Sequence, residues 1–277
     1  MTATSAPRQT GTYLDRILVQ TAKDVAARKA LVSIDALREM AARQPAPVDV
    51  EAALNRDRVT VIAEIKRASP SKGTFPVSVV PSEIAAAYID GGAAAISCLT
   101  DEPFFKGSLT DLEAVTRTAY AARNPIGVLR KDFMLDRYQI DEARAFGASC
   151  ILLIAAALDD ATLADLHAYA RSLRLSVLVE VHDEEEARRA VGLGATLIGI
   201  NNRDLRTFHV DLGTTERIAP LLPAGTTVVG ESGIFTEGDV SRLANAGVAA
   251  VLVGESLIMQ EDRAAAVRAL AGVSRGR

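Results

Sequence analysis

Val59-Thr60-Val61-Ile62-Ala63-Glu64-Ile65-Lys66-Arg67-Ala68-Ser69-Pro70-Ser71-Lys72-Gly73 is the stretch on which the reading of the fold turns. Its apolar, β-branched run is broken by Glu64 and Lys66, two residues apart, so it reads as a buried strand with both ionic side chains on one face at its exit. Buried charge is expensive and needs a reason. The Ser69 to Gly73 segment that follows is a turn-rich, cationic loop suited to closing over an anion.

Outward from this strand the same unit recurs. Apolar strands are expected near 59-66, 93-100, 124-131, 150-157, 176-182, 197-202, 226-231 and 249-254, separated by helical patterns, which makes eight strand-helix units. A helix end, a glycine and an apolar strand follow one another at Gly92, Gly147, Gly194 and Gly247. That is C-terminal glycine usage at a spacing of about 50 residues. Helical crossovers force a parallel sheet, and continuous hydrophobicity says that both of its faces are covered. An open doubly wound sheet would carry a Gly-rich first turn, and no GxGxxG follows any strand. The fold class is therefore α/β, a single (β/α)8 TIM barrel with an N-terminal helical extension. The extension is expected over 1-55 and the catalytic barrel over 56-277. Within the extension, Leu14, Ile17, Leu18 and Val25 make one helical stripe, Ser33 caps a second helix through Met40, and residues 43–47 lead to the first strand.

Composition narrows the function. The chain has 277 residues, 49% of them hydrophobic, enough for one large barrel and with no room for a fused second one. A net charge of −4 gives no whole-chain attraction to nucleic acid or anionic membrane, so an anionic ligand needs a local cationic site. Cys98 and Cys150 lie inside apolar runs as small core residues and lack CxxC spacing, which points to a reducing cytoplasm. His167, His182 and His209 are scattered, and no metal site is expected. The start, 1–10, is polar without a signal-peptide core, and no apolar run approaches the roughly 20 residues of a membrane span. A soluble protein with a small-molecule partner is expected, a monomer being the simpler state and an oligomer the alternative.

In such a barrel the active site lies at the C-terminal ends of the strands. Six exits carry ionic or amide side chains: Glu64 and Lys66; Lys131-Asp132; Glu180; Asn201-Asn202-Arg203-Asp204; Glu231-Ser232-Gly233; and Gly254-Glu255-Ser256. Any one of these reads equally well as a solvated rim residue. Two lysines and several carboxylates around one mouth would shift one another's pKa values and prepare an acid and a base for neutral pH. Ser232-Gly233 and Gly254-Glu255 stand where barrels present backbone N–H groups to phosphate.

With these pieces in place, the sequence resembles the indole-3-glycerol phosphate synthase family along essentially its whole length. The likeness rests on Ala63 to Ser71, Leu99 to Ser108, Leu129-Arg130-Lys131-Asp132-Phe133, Leu178-Val179-Glu180-Val181, Ile200 to Leu205 and Glu231-Ser232-Gly233-Ile234. The resemblance implies a lyase of tryptophan biosynthesis that cyclises 1-(2-carboxyphenylamino)-1-deoxyribulose 5-phosphate with loss of carbon dioxide and then water, using no cofactor and no metal. Position by position, it implies Lys131 as general acid, Glu180 as acid-base partner in dehydration, and Lys66 as a second essential lysine contacting substrate anions. Glu64 and Asn201 would orient lysines and substrate hydroxyls. Arg203, Ser232, Glu231 and Ser69 would contact substrate, with Glu231 holding the lysine network in place. Phe105, Phe133, Leu152 and Leu205 would wall the anthranilate ring, and Lys66, Gly233, Gly254 and Glu255 would meet phosphate.

Two residues sit awkwardly. Glu255 puts a carboxylate where phosphate is expected, so that loop must bind through backbone N–H with the side chain turned away. Lys106 has no assigned role. Three rivals stand beside this reading: a Schiff-base, aldolase-like lysine enzyme; a phosphoribosylanthranilate isomerase-like enzyme needing a cysteine and an aspartate at strand exits; and a non-enzymatic binding barrel. The Ser69 to Gly73 loop is expected to be a movable cover for the substrate.

Overall fold

The computed structural model describes residues 8–275. Residues 1–7 of the polar start, and residues 276–277, lie outside them. Among the described residues, eight strands pair in parallel with their sequence neighbours and close into a barrel. They are β1 (Thr60–Ile65), β2 (Ala95–Leu99), β3 (Gly127–Lys131), β4 (Cys150–Ile154), β5 (Ser176–Val181), β6 (Leu197–Asn201), β7 (Thr227–Glu231) and β8 (Ala250–Val253). The last pairs with the first through Thr60 beside Ala250. Both faces of the strands are covered: Val61, Ile62, Ala63 and Ile65 of β1 are at most 3% exposed. Burial of each large apolar side chain stabilises the barrel by about 1.5–3 kcal/mol.

The recurring glycines do the work expected of them. Gly92, Gly147, Gly194 and Gly247 have φ of 86°, 83°, 81° and 94°, a left-handed conformation that other residues adopt only with strain. The following N–H then reaches back to the last helical turn, as in Ala93 N to Tyr88 O at 3.0 Å and Ala148 N to Ala143 O at 2.9 Å. This closes the helix and aims the chain into the next strand.

Before β1 come three helices: α1 (Tyr13–Leu31), capped by Thr12; α2 (Ile34–Ala42), capped by Ser33; and α3 (Val50–Leu54), capped by Asp49. The third corrects the expectation that the first strand follows directly on residues 43–47. At five residues, it is too short to show a helical period. It covers the N-terminal end of the barrel, where Val50 N donates to Ser176 Oγ at 3.2 Å and Val48 N to Ser149 Oγ at 3.1 Å. Gly127 makes room for it, since a Cβ there would stand 2.2 Å from Val50 Cγ2. Every strand is shorter than its expected span, two of them for an identifiable reason. β3 begins after Pro125, which has no N–H for a ladder, and β4 ends at Ile154, where Ala155–Ala157 turn as a 3-10 helix. Among the described residues, no helix is long and apolar enough to cross a membrane.

Candidate active site

A cavity of about 400 Å³ opens at the C-terminal ends of the strands, and every site residue named from the sequence lines it. Parallel register explains the convergence, because it sets Leu99 beside Lys131, Ile154 beside Glu180 and Asn201 beside Glu231 at one level of the barrel.

Lys131 is the centre of this level. Its Nζ lies 3.3 Å from Glu180 Oε2 and 3.6 Å from Glu231 Oε2, with only 16% of the side chain exposed. Burial alone would favour the neutral amine, but the carboxylates of Glu180, Glu231 and Glu64 outweigh it and raise the pKa, so Lys131 is an ammonium. Burial also pushes Glu180 up, against a larger downward pull from Lys131, His182 and Asn201 that holds it well below the usual carboxylate range. Glu231 goes the other way: burial, then the charge of Glu180, overcome Lys131 and raise it to about 8. At neutral pH the floor is therefore one ammonium, one carboxylate and one carboxylic acid. The separation of two neighbouring carboxyl groups into base and acid is a recurrent preparation for proton transfer.

Glu64 and Lys66 form the second pair, 2.9 Å apart. Burial pushes Glu64 up, but Lys66 and Lys131 hold it below its ordinary value. The pair faces the last exit so closely that a Cβ on Gly254 would stand 2.5 Å from Glu64 Oε1 and 3.0 Å from Lys66 Nζ. Gly199 is similar, since a Cβ there would stand 2.1 Å from Glu231 Oε1. These two glycines leave space that the charged side chains fill.

Ser232 and Gly233 have φ of 64° and 79°, which bends the loop after β7 into the mouth. Ser256 Oγ donates to Ile234 O at 2.9 Å and ties this loop to Gly254 and the short helix Glu255–Ile258. Two adjacent loops ending at a helix N-terminus suit a phosphate. Glu255 turns to Lys72, 3.6 Å away. Lys72 belongs to the loop between the two-residue strands Ala68–Ser69 and Gly73–Thr74, whose Ser69, Pro70 and Ser71 also line the cavity. Phe105 and Phe133 lie 6.0 Å apart at a 36° tilt, and Leu152 and Leu205 also line the cavity. Asn201 Oδ1 accepts from Arg203 N at 3.0 Å, and Arg203 Nη1 donates to Phe208 O at 3.3 Å.

Some residues at the exits face elsewhere. Asn202 Oδ1 accepts from Thr215 N and Oγ1 at 3.1 and 2.8 Å. Asp204 Oδ1 accepts from Arg206 N at 2.7 Å and Thr207 N at 2.8 Å, which shapes its own loop. Lys106 is absent from the lining and has φ of 55°, ending the short helix Glu102–Phe105, while its carbonyl accepts from Arg67. Asp132 lines the cavity but pairs with Arg130 at 2.8 Å and accepts from Thr100 Oγ1 at 2.6 Å. Arg130, only 1% exposed, also pairs with Glu142 at 3.2 Å, and Glu142 with Arg28 of α1 at 2.8 Å. A buried network thus runs from α1 to the strand that carries Lys131.

Sequence reasoning missed the roof. Tyr13 of α1 meets Phe104 and Phe208 edge-on at 5.9 and 5.8 Å, and Tyr13, Leu14, Ile17, Phe208 and Phe235 join the lining. Leu14 and Ile17 belong to a helical stripe that by its period signals only packing, and Phe208 and Phe235 lie in loops without any period. It missed His182 as well, which stands behind Glu180 with Nε2 3.3 Å from Glu180 Oε1.

A family model described as indole-3-glycerol phosphate synthase matches residues 14–270. The protein of that name from Mycolicibacterium vanbaalenii is 51% identical over 256 residues, 92% of each chain. The one from Streptomyces griseus is 50% identical over 254 residues, covering 92% of this chain and 93% of that protein. Among solved structures, a thiamine phosphate pyrophosphorylase from Pyrococcus furiosus superposes with a TM-score of 0.59 over 80% of this chain and 96% of that one, at 17% identity, a likeness of fold alone. Because the matched span runs from α1 through all eight strands and holds both lysine-carboxylate pairs, the chain belongs to the indole-3-glycerol phosphate synthase family.

Proposed function

We propose that this chain, with 1-55 as an extension and 56-277 as the catalytic barrel, converts 1-(2-carboxyphenylamino)-1-deoxyribulose 5-phosphate to indole-3-glycerol phosphate by acid-base catalysis. The observation that carries the mechanism is the buried Lys131 ammonium between Glu180 and Glu231. In this reading phosphate binds at Ser232-Gly233 and Gly254 with Lys66 beside it, while Glu255 stays turned to Lys72. Arg203, Ser69 and Ser232 hold the polar groups, and Phe105, Phe133, Leu152 and Leu205 press the aromatic ring over the ketone. Holding the two reacting carbons in contact is worth several kcal/mol.

The ring carbon bearing the carboxylate attacks the ketone carbon, and the carbonyl electron pair moves to oxygen, which takes a proton from Lys131. Carbon dioxide then leaves, and its bonding pair restores the aromatic ring. In the dehydration Glu180 removes a proton from the neighbouring methylene carbon while the hydroxyl departs as water, protonated by Lys66. Glu180 hands its proton to Lys131 across their 3.3 Å contact. Lys66 is reprotonated from solvent, the one proton consumed when a carboxylate becomes carbon dioxide. Neutral Glu231 and Asn201 keep Lys131 and Glu180 in place, and Glu64 does the same for Lys66.

The rival chemistries fit less well. A Schiff base needs a neutral lysine, and the carboxylates around Lys131 favour the ammonium. An isomerase of the cysteine-aspartate kind needs an accessible thiol, whereas Cys98 and Cys150 are both buried, with burial pushing Cys150 up to about 12. The test is to mix protein and substrate and follow indole fluorescence. Its appearance supports the reading, and covalent trapping of a ketose phosphate on Lys131 by borohydride overturns it.

A further inference from the structure

His182 is a largely buried titratable side chain that the steps above leave unused. It follows β5 immediately and is 12% exposed. Its Nε2 lies 3.3 Å from Glu180 Oε1, the oxygen turned away from Lys131, at ion-pair distance and without an aligned hydrogen bond to Glu180 or to any other group among the described residues. Its Nδ1 lies 3.1 Å from Glu186 Oε2, and that same oxygen accepts the His182 backbone N–H at 2.8 Å. Glu186 is fixed in turn, in the first turn of the helix Glu184–Gly192, where its N–H donates to Asp183 Oδ1 at 2.8 Å. Three side chains thus form a line, Glu186 to His182 to Glu180, from the outer edge of the barrel into the cavity.

The charges around His182 are few. Glu180 and Glu186 are its only ion-pair partners within 4.0 Å among the described residues. From β3, Lys131 reaches the opposite oxygen of Glu180. From β6, Asn201 supplies a neutral hydrogen bond to Glu180. Arg189, one turn beyond Glu186, is spent on Asp160 at 2.6 Å and on the carbonyls of Ala155 and Leu158 in the turn packed beside β5. On the helix Asp160–Ser172 outside β5, Asp165 is taken by Arg137. A histidine whose two ring nitrogens both face carboxylates, with no competing cation, is an imidazolium. Burial opposes that charge, but the two carboxylates outweigh it and push the pKa up to about 10.

We propose that His182 is a positioning residue for the reaction: its imidazolium, clamped by Glu186, holds the rear oxygen of Glu180 so that Glu180 remains anionic and its front oxygen stays aimed at Lys131 and the substrate. This rests on the reading of Glu180 as the base of the dehydration. It also explains how a buried carboxylate beside Glu231 keeps its charge, since Lys131 faces both Glu180 and Glu231 whereas His182 faces only the first of these two.

The test is the pH profile of kcat for His182→Gln beside wild type. Removing a cation 3.3 Å from Glu180 raises the pKa of that carboxyl. The acidic limb of kcat therefore moves up by about one pH unit; separately, loss of the hold on the rear oxygen lets Glu180 drift from its aim, so kcat near neutrality falls about tenfold while KM stays within about twofold. Glu186→Gln, which leaves the imidazole in place, weakens the hold on its proton and brings the basic limb of kcat down. This variant decides the matter if His182→Gln does not fold. A lower kcat with both limbs unmoved, or an unchanged kcat, overturns the proposal. Absence of turnover by wild type overturns the functional reading and this proposal together, whereas normal wild-type turnover with unmoved limbs in both variants overturns this proposal alone.

Discussion

Lys131 Nζ and Glu180 Oε2 stand 3.3 Å apart on β3 and β5, two strands with β4 between them, so the contact spans the mouth of the barrel rather than a strand pair. In the proposed reaction it joins the proton donor to the proton acceptor and gives the acceptor a way to recharge the donor.

Glu231 holds its proton up to about pH 8 in the folded protein, against an ordinary value of 4.5. An acid with a raised folded pKa favours folding fully below its unfolded value and loses that contribution as pH rises through the folded one. Glu231→Gln cannot ionise and escapes the loss. Its Tm advantage over wild type is therefore expected to grow between about pH 4.5 and 8 and to stay level above, worth on the order of a few kcal/mol. Calorimetry across that range checks this, and a difference independent of pH would count against a protonated Glu231.

Arg130 is buried between Asp132 and Glu142. Replacing it by Met leaves both carboxylates without their cation, a loss of about 3–5 kcal/mol for a broken buried pair. Denaturant unfolding of Arg130→Met measures it. A loss below about 1 kcal/mol would mean that Arg28 and Thr100 suffice.

Gly199→Ala places a methyl group 2.1 Å from Glu231 Oε1. The carboxyl group must move, at a cost of about 1–3 kcal/mol for overpacking. A fall in kcat of more than about tenfold is expected, because Lys131 loses a neighbour at 3.6 Å. Steady-state kinetics of the folded variant with an unchanged kcat would remove Glu231 from the account.

Glu255 brings negative charge to the phosphate end proposed above, relieved by Lys72 at 3.6 Å. Glu255→Ser removes a repulsion of about 1 kcal/mol, so KM falls about fivefold with kcat little changed. A KM that rises instead would show that Glu255 assists binding through Lys72.

The barrel was legible because its signals repeat: apolar runs buried on both faces, and helices that end on a left-handed glycine at Gly92, Gly147, Gly194 and Gly247. Charges at the exits were legible for a related reason, since Glu64 and Lys66 interrupt a run that is otherwise apolar. What escaped lacks period. α3 is one turn long, Ala155–Ala157 continue the composition of β4 while leaving its ladder, and Tyr13, Phe208 and Phe235 reach the cavity from segments distant in sequence. His182 looked like one of three scattered histidines, because its meaning comes from Glu186 one helical turn away and Glu180 two residues back. Arg130 was masked by Lys131 beside it, since alternation along a strand turns one inward and the other outward.

In the proposed reaction Lys131 donates the proton that closes the ring. The direct measurement is indole fluorescence, with carbon dioxide release in parallel, for wild type and Lys131→Ala on the carboxyphenylamino deoxyribulose phosphate. Equal yields of indole product and carbon dioxide are expected from wild type, and a fall of about a hundredfold to ten-thousandfold in a Lys131→Ala protein that keeps its folded circular dichroism. Turnover by folded Lys131→Ala at near wild-type rate would contradict it.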